Sequence, residues 1–178
     1  VPAGGGCKEL VRRLVNPVAK AGADTLEPMQ KAFTNIATAT VTASAMDAKE
    51  KGFLSEDDVI VMNRSFLLGE AKAVALAKAT TYEQRQPEKV WAAGRDKYAA
   101  LLLGVEGFKE GGYASEYDAV IAGKVARILT GGGISEPQFV SQQVFLNLER
   151  EAFIDLIMQE KTQERIMYML QNNKPLRN

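Results

Sequence analysis

Histidine is absent from this chain of 178 residues. That excludes Ser-His-Asp and Cys-His nucleophilic catalysis, His-based zinc sites and imidazole acid–base chemistry from these residues. Any acid–base work here falls to carboxylates, Lys, Tyr or Cys. Cysteine is nearly absent: a lone Cys7 excludes an internal disulfide framework and a cysteine-rich metal site. Net charge is lacking as well, with Lys+Arg and Asp+Glu each totalling 22. The chain therefore has no basic field for nucleic acid and no polybasic segment for an anionic membrane. No apolar run reaches the ~20 residues that span a bilayer. The N-terminus lacks an initiator Met and the charged-then-apolar layout of a secretory signal. These absences set the expectations: cytoplasmic, with no metal, nucleic-acid partner or membrane span.

What is present fits one globular domain or one compact piece of a larger fold, with 46% hydrophobic and 25% charged residues. The chain opens on Val1-Pro2-Ala3-Gly4-Gly5-Gly6 and runs directly into Cys7-Lys8-Glu9-Leu10. A proline followed by three glycines brings backbone close to something, and the next helix points its N–H groups there. Such a turn is normally internal to a fold, so the sequence reads as the later part of a longer one. The turn does not match G-x-x-x-x-G-K-[ST], because Glu9 follows Lys8. That leaves a plain helix start or an oxyanion or thioester loop.

Helical periodicity dominates the rest. A short helix is expected from Cys7 to Val15, ended by Asn16-Pro17. Others are expected over 26–39, over 44–52 between a Ser44 cap and Gly52, and over 64–79 behind an Asn63 cap. Val59-Ile60-Val61-Met62 could form a short strand. Residues 80–89 read as a loop and 90–94 as a hinge. Further helices are expected over 95–109, over 115–129 behind a Ser115–Asp118 capping box, over 141–158, and from a Thr162 cap to Leu170. In the last, Ile166, Met167 and Leu170 are expected to be buried.

Gly131-Gly132-Gly133 reads as a helix C-cap and flexible loop. Cys7 lies at a helix start, where the dipole lowers a thiol pKa, yet without a histidine partner it reads as a structural thiol. Glu149-Arg150-Glu151 reads as a solvated charge run. Glu9 with Asp24 or Glu27 could form a carboxylate pair, but nothing in the pattern supports one, so no catalytic residue is assigned. The fold class is mainly α with at most one or two short strands. The domain expectation is 1–79, a linker over 80–94, and a helical region over 95–178.

Several stretches together resemble the crotonase (enoyl-CoA hydratase/isomerase) superfamily. Val1-Pro2-Ala3-Gly4-Gly5-Gly6 is similar to its "G-hydrophobic-x-P-x-G-G-G" turn. Thr42-Ala43-Ser44-Ala45-Met46-Asp47-Ala48-Lys49-Glu50-Lys51-Gly52-Phe53-Leu54 is similar to its "A-x-x-A-x-x-x-G-L-V" segment. The run from Glu164 to Leu176 is similar to its "E-G-x-x-A-F-x-x-K-R-x-P" ending. More narrowly, Ile60-Val61-Met62-Asn63, the run Gly111 to Asp118, Leu148-Glu149-Arg150-Glu151-Ala152-Phe153 and the final Lys174-Pro175-Leu176-Arg177-Asn178 resemble the C-terminal end of bacterial multifunctional 3-hydroxyacyl-CoA dehydrogenases.

The resemblance implies a C-terminal portion of a crotonase-type fold, inactive alone, from a β-oxidation enzyme acting on acyl-CoA thioesters. The catalytic glutamates and the NAD site would lie upstream, leaving no cofactor in this stretch. Gly4, Gly5 and Gly6 would floor the thioester site, and Lys174 would meet CoA. The C-terminal helices would build a homo-oligomer, and a thiolase would partner the whole protein. The sequence departs from the family where its Lys-Arg is Asn172-Asn173 and its aromatic is Met169. The rival expectation is a free-standing helical interaction module. The two separate on surface, since a missing sheet predicts an exposed apolar face along the helix from Cys7.

Overall fold

The computed structural model describes every residue except Val1, Ala3 and Arg85. It is mainly helical, as the periodicity predicts. Among the described residues the α-helices are α1 Gly6–Leu10, α2 Asn16–Lys20, α3 Leu26–Ala37, α4 Ala45–Glu50, α5 Leu67–Ala79, α6 Gly94–Glu110, α7 Glu116–Leu129, α8 Gln142–Ile157 and α9 Glu160–Asn172. Strands β1 Val90–Ala92 and β2 Gln138–Val140 form one small sheet.

Two compact units divide the chain: Val1–Val41 with Glu88–Asn178, and Thr42–Pro87. These boundaries run differently from 1–79, 80–94 and 95–178. The reason is long-range packing: α1 packs on α8 and α7, and α3 packs on α7 and α6. The opening residues therefore belong with the C-terminal helices.

Asn16-Pro17 does not end the opening helix. Val11–Val15 form a π-helical stretch and α2 follows at once with its proline in the first turn. Inside an α-helix the proline ring would strike the carbonyl four residues back and leave it without a donor. The wider π-turn shifts the register and lets the chain stay helical. The face of this helix is covered, against expectation: Cys7, Val11 and Val15 are each 0% exposed. Phe145 of α8, Val125 of α7 and Met29 of α3 belong to the same core.

Strand β1 arises where 90–94 reads as a hinge, and β2 lies between two predicted helices. The pair is antiparallel, with Trp91 opposite Phe139 and their rings 4.9 Å apart. Three residues a side are too few for an alternation signal. The outer edge of β1 is closed by a side chain. Asn16 Oδ1 accepts from the Trp91 N–H at 2.9 Å, and its Nδ2 donates to the Lys89 carbonyl at 2.8 Å. Asn16 is 1% exposed and both bonds are part-buried, so Asn16→Ala costs about 1 kcal/mol for the two bonds lost. Urea unfolding of the variant checks this.

The capping signals hold where they are local. The Ser115 hydroxyl accepts from the Asp118 N–H while Asp118 accepts from the Ser115 N–H, a capping box. Arg165 of α9 joins Asp118 at 2.7 Å and lies over the Tyr117 ring. Thr162 does not cap α9. It sits inside the helix and pairs its hydroxyl with that of Tyr117 at 2.6 Å. Nor are Ile166, Met167 and Leu170 buried: each is exposed, because α9 rests on α8 and leaves its apolar face open. Phe153 and Ile154 of α8 are likewise exposed.

In the second unit Ser44 caps α4 by accepting from the Asp47 N–H at 3.1 Å, and Gly52 takes φ +82°. Asn63 caps a 3-10 turn, Arg64–Phe66, that leads into α5. Residues 59–62 form no strand.

Candidate functional site

The glycine turn is built by positive φ at two positions, Gly4 at +88° and Gly5 at +106°. A side chain there is strained. Gly5 is the N-cap of α1 and Gly6 its first residue. A Cβ on Gly6 would lie 2.8 Å from the Pro2 ring, so the proline and the third glycine fit face to face. Gly4 is exposed, with open space where a Cβ would stand.

The group that the turn faces is internal. Glu149, in the middle of α8 and 1% exposed, reaches the start of α1. The Gly5 N–H donates to its Oε2 at 2.5 Å and the Lys8 N–H to its Oε1 at 2.9 Å. Burial pushes the Glu149 carboxyl up from its ordinary range. Backbone donors at Lys8, Gly5 and Cys7 and the Lys8 charge oppose that without cancelling it. The carboxylate fills the place that an incoming anion would take at such a turn.

Around it lies a polar belt. The Lys8 ammonium bonds Gln142 Oε1 at 2.9 Å and pairs with Glu9 at 2.7 Å. Glu9 also accepts from Arg12 Nε at 2.9 Å. Burial pushes Glu9 up, but the bonds from Lys8 and Arg12 outweigh it and hold its carboxyl low. Glu88 gathers Lys20, Asn16 and Arg12. These pairs are only partly buried, so each contributes modestly to stability.

Cys7 is inert. Burial, then the negative Glu149, push its thiol up to about 12, and it is 0% exposed. The helix dipole does not win, because a thiolate here would lack both water and a positive partner. Glu9, Asp24 and Glu27 form no acid–base pair in the structure. Glu9 bonds Lys8 and Arg12, and Asp24 bonds Lys97. No group of three or more Cys, Asp or Glu side chains that could hold a metal ion occurs among the described residues. No helix among them is long and apolar enough to cross a membrane.

Of the residues singled out in the sequence, Gly4, Gly5 and Gly6 form one turn. Lys174 stands exposed after α9, and no hydrogen bond or ion pair joins it to the turn among the described residues. The residue missed is Glu149. Its signal is helical register: Phe145, Glu149, Ala152 and Leu156 recur on one face and are all buried. A second candidate is the groove between α7, α8 and α9. It encloses about 380 Å³ and is lined by Ile121, Phe153, Leu156, Ile166 and Met169, with Arg165 among them. That size is within the range of small-molecule sites.

No family model matches the chain, and no solved structure matches it. A curated relative does. The chain is 41% identical over 179 aligned residues to a probable 3-hydroxyacyl-CoA dehydrogenase of Bacillus subtilis (strain 168). The match takes in 100% of this chain and 22% of that protein, so the chain spans about a fifth of its relative's length.

Proposed function

We propose that this chain is a helical part of a fatty-acid β-oxidation enzyme, a 3-hydroxyacyl-CoA dehydrogenase carrying an enoyl-CoA hydratase module, and that it is inactive alone. The observation that carries the reading is the 41% identity over the whole chain to part of a probable 3-hydroxyacyl-CoA dehydrogenase. The chain's own chemistry agrees. It holds no histidine, its thiol is sealed, and its buried carboxylate is committed to backbone donors.

NAD would be held elsewhere in that enzyme. A dinucleotide needs parallel strands with crossover helices, whereas the sheet here is a three-residue antiparallel pair. The hydration step requires N–H donors at the thioester oxygen and carboxylates that handle water. The Gly5 and Lys8 N–H groups are taken by Glu149, so this chain would supply the floor beside those donors, with Gly4 on the open edge of the turn and Gly5 and Gly6 supporting it, while Lys174 would meet CoA. The apolar groove beside α9 suits an acyl chain better than a nucleotide. Homo-oligomer formation through the C-terminal helices and a thiolase partner follow from the same resemblance.

The covered face of α1 favours the rival reading, an independent helical interaction module, because it gives the first unit a closed core. Activity separates the two. The longer polypeptide containing this chain is expected to reduce NAD with 3-hydroxybutyryl-CoA and to hydrate crotonyl-CoA, followed by the absorbance of the reduced nicotinamide and of the enoyl thioester. The 178-residue chain is expected to do neither. Turnover by the chain alone, or none by the longer polypeptide, would sink the proposal.

A further inference from the structure

Helix α5 has no buried residue in its Leu67–Ala79 span, and only Val74 is half-buried. Leu67 is 51% exposed, Leu68 84% and Leu76 61%. At about 100° per residue these three spread over roughly half the helix circumference. Ala71, Ala73, Ala75, Ala77 and Ala79 fill much of the rest, and only Glu70, Lys72 and Lys78 are charged. Lys72 lies within the leucine half, four residues from both Leu68 and Leu76, where its long stem covers apolar surface while its ammonium stays at the edge. The exposed side chains of Met62 and Phe66 extend the patch just before it. The unit that carries α5 cannot cover it. Among its described residues only Ala48 and Gly52 are buried.

We infer that α5, with Met62 and Phe66, is the docking surface for the remainder of a longer polypeptide of which this chain is part. This rests on the proposed function, through the relative of which the chain covers 22%. That relative has more than three-quarters of its length outside the match, enough to envelop a helix. A second copy of the chain fits less well. Helix pairing covers one stripe of about 100°, and the apolar surface of α5 is broader than that. The occupant is therefore an apolar cleft with a polar rim for the Lys72 ammonium, rather than a single facing helix.

Thiol labelling tests this with Leu68→Cys, and with Leu76→Cys as a second reporter in case either position disturbs folding. Cys7 stays silent in both, being 0% exposed. In the isolated chain each new thiol should react with a maleimide at the rate of a free peptide thiol. In the longer polypeptide each should react at least about 100-fold more slowly, the protection of a docked element. Equal rates in the two proteins would overturn the inference. Protection in the isolated chain that grows with its concentration would also overturn it, in favour of a second copy. If the longer polypeptide protects both thiols but oxidises no 3-hydroxyacyl-CoA, the docking surface stands and the proposed function falls. Activity with both thiols fully reactive gives the reverse.

Discussion

Replacing Glu149 with alanine should lower unfolding free energy by about 4 kcal/mol, since a buried donor stripped of its acceptor costs roughly 1–3 kcal/mol and at least two are stripped. The donors are the N–H groups of Gly5 and Lys8, which now reach Glu149 at 2.5 and 2.9 Å. For a chain of this size each kcal/mol is worth roughly 2–4 °C, so the melting point should drop by roughly 8–16 °C. Glu149→Gln keeps the shape but sets an amide NH₂ against one backbone N–H. Its cost should be about half that of alanine, for one mismatched donor rather than two. The pair also isolates a pH effect. Burial holds the folded carboxyl above its ordinary value. The pH-linked part of the stability that Glu149 contributes is then fully present below about pH 4.3, the unfolded value, and is lost as pH rises through the folded value. The advantage of the native protein over Glu149→Gln should accordingly shrink as pH rises above that point. An advantage that grows with pH would mean that the backbone donors outweigh burial. Parallel thermal melts from about pH 4 to 7, spanning that window, decide it.

Gly131→Ala should be about as damaging, for a different reason. Gly131 follows α7 with φ +84°. The Gly132 N–H bonds the Arg127 carbonyl at 2.8 Å and the Gly131 N–H bonds that of Ile128 at 3.0 Å, which is the Schellman closure of a helix. An alanine pays the left-handed penalty of roughly 1–2 kcal/mol. Its Cβ would also stand 2.3 Å from Ala92 Cβ and 3.0 Å from Ala92 Cα. Ala92 is in β1, so backbone must move, and overpacking of this kind adds about 1–3 kcal/mol. Gly133→Ala is the control: it has open space for a Cβ and no positive φ. Its denaturation midpoint should match the native one. Equal losses at both positions would show that the loop tolerates neither, and that the contact with Ala92 is not the cause.

These two positions also show what could be read from the chain. Gly131 was legible because a C-cap is a local event, set by the helix before it. Ser44, Ser115 and Gly52 were legible for the same reason, and so was the helical class. Glu149 was not. Flanked by Arg150 and Glu151, it has the composition of a solvated face, and only its alignment with Phe145 and Ala152 marks it as inward. Its partner lies 144 residues away, beyond any window of periodicity. The β1–β2 pair failed likewise, since its strands are three residues each and are separated by α6 and α7. Pro17 misled in the other direction. Its rule assumes α-helical geometry, and the π-turn at Val11–Val15 escapes it.

The clamp between Gly5 and Glu149 also imposes an order of events on synthesis. A ribosome adding about 5–20 residues per second needs roughly 7–30 s to make the intervening chain. Throughout that time the glycine turn has been made and its acceptor has not. The contacts of α1 with α8 wait with it until α8 emerges. The start of this chain is thus the first part made and among the last to be finished.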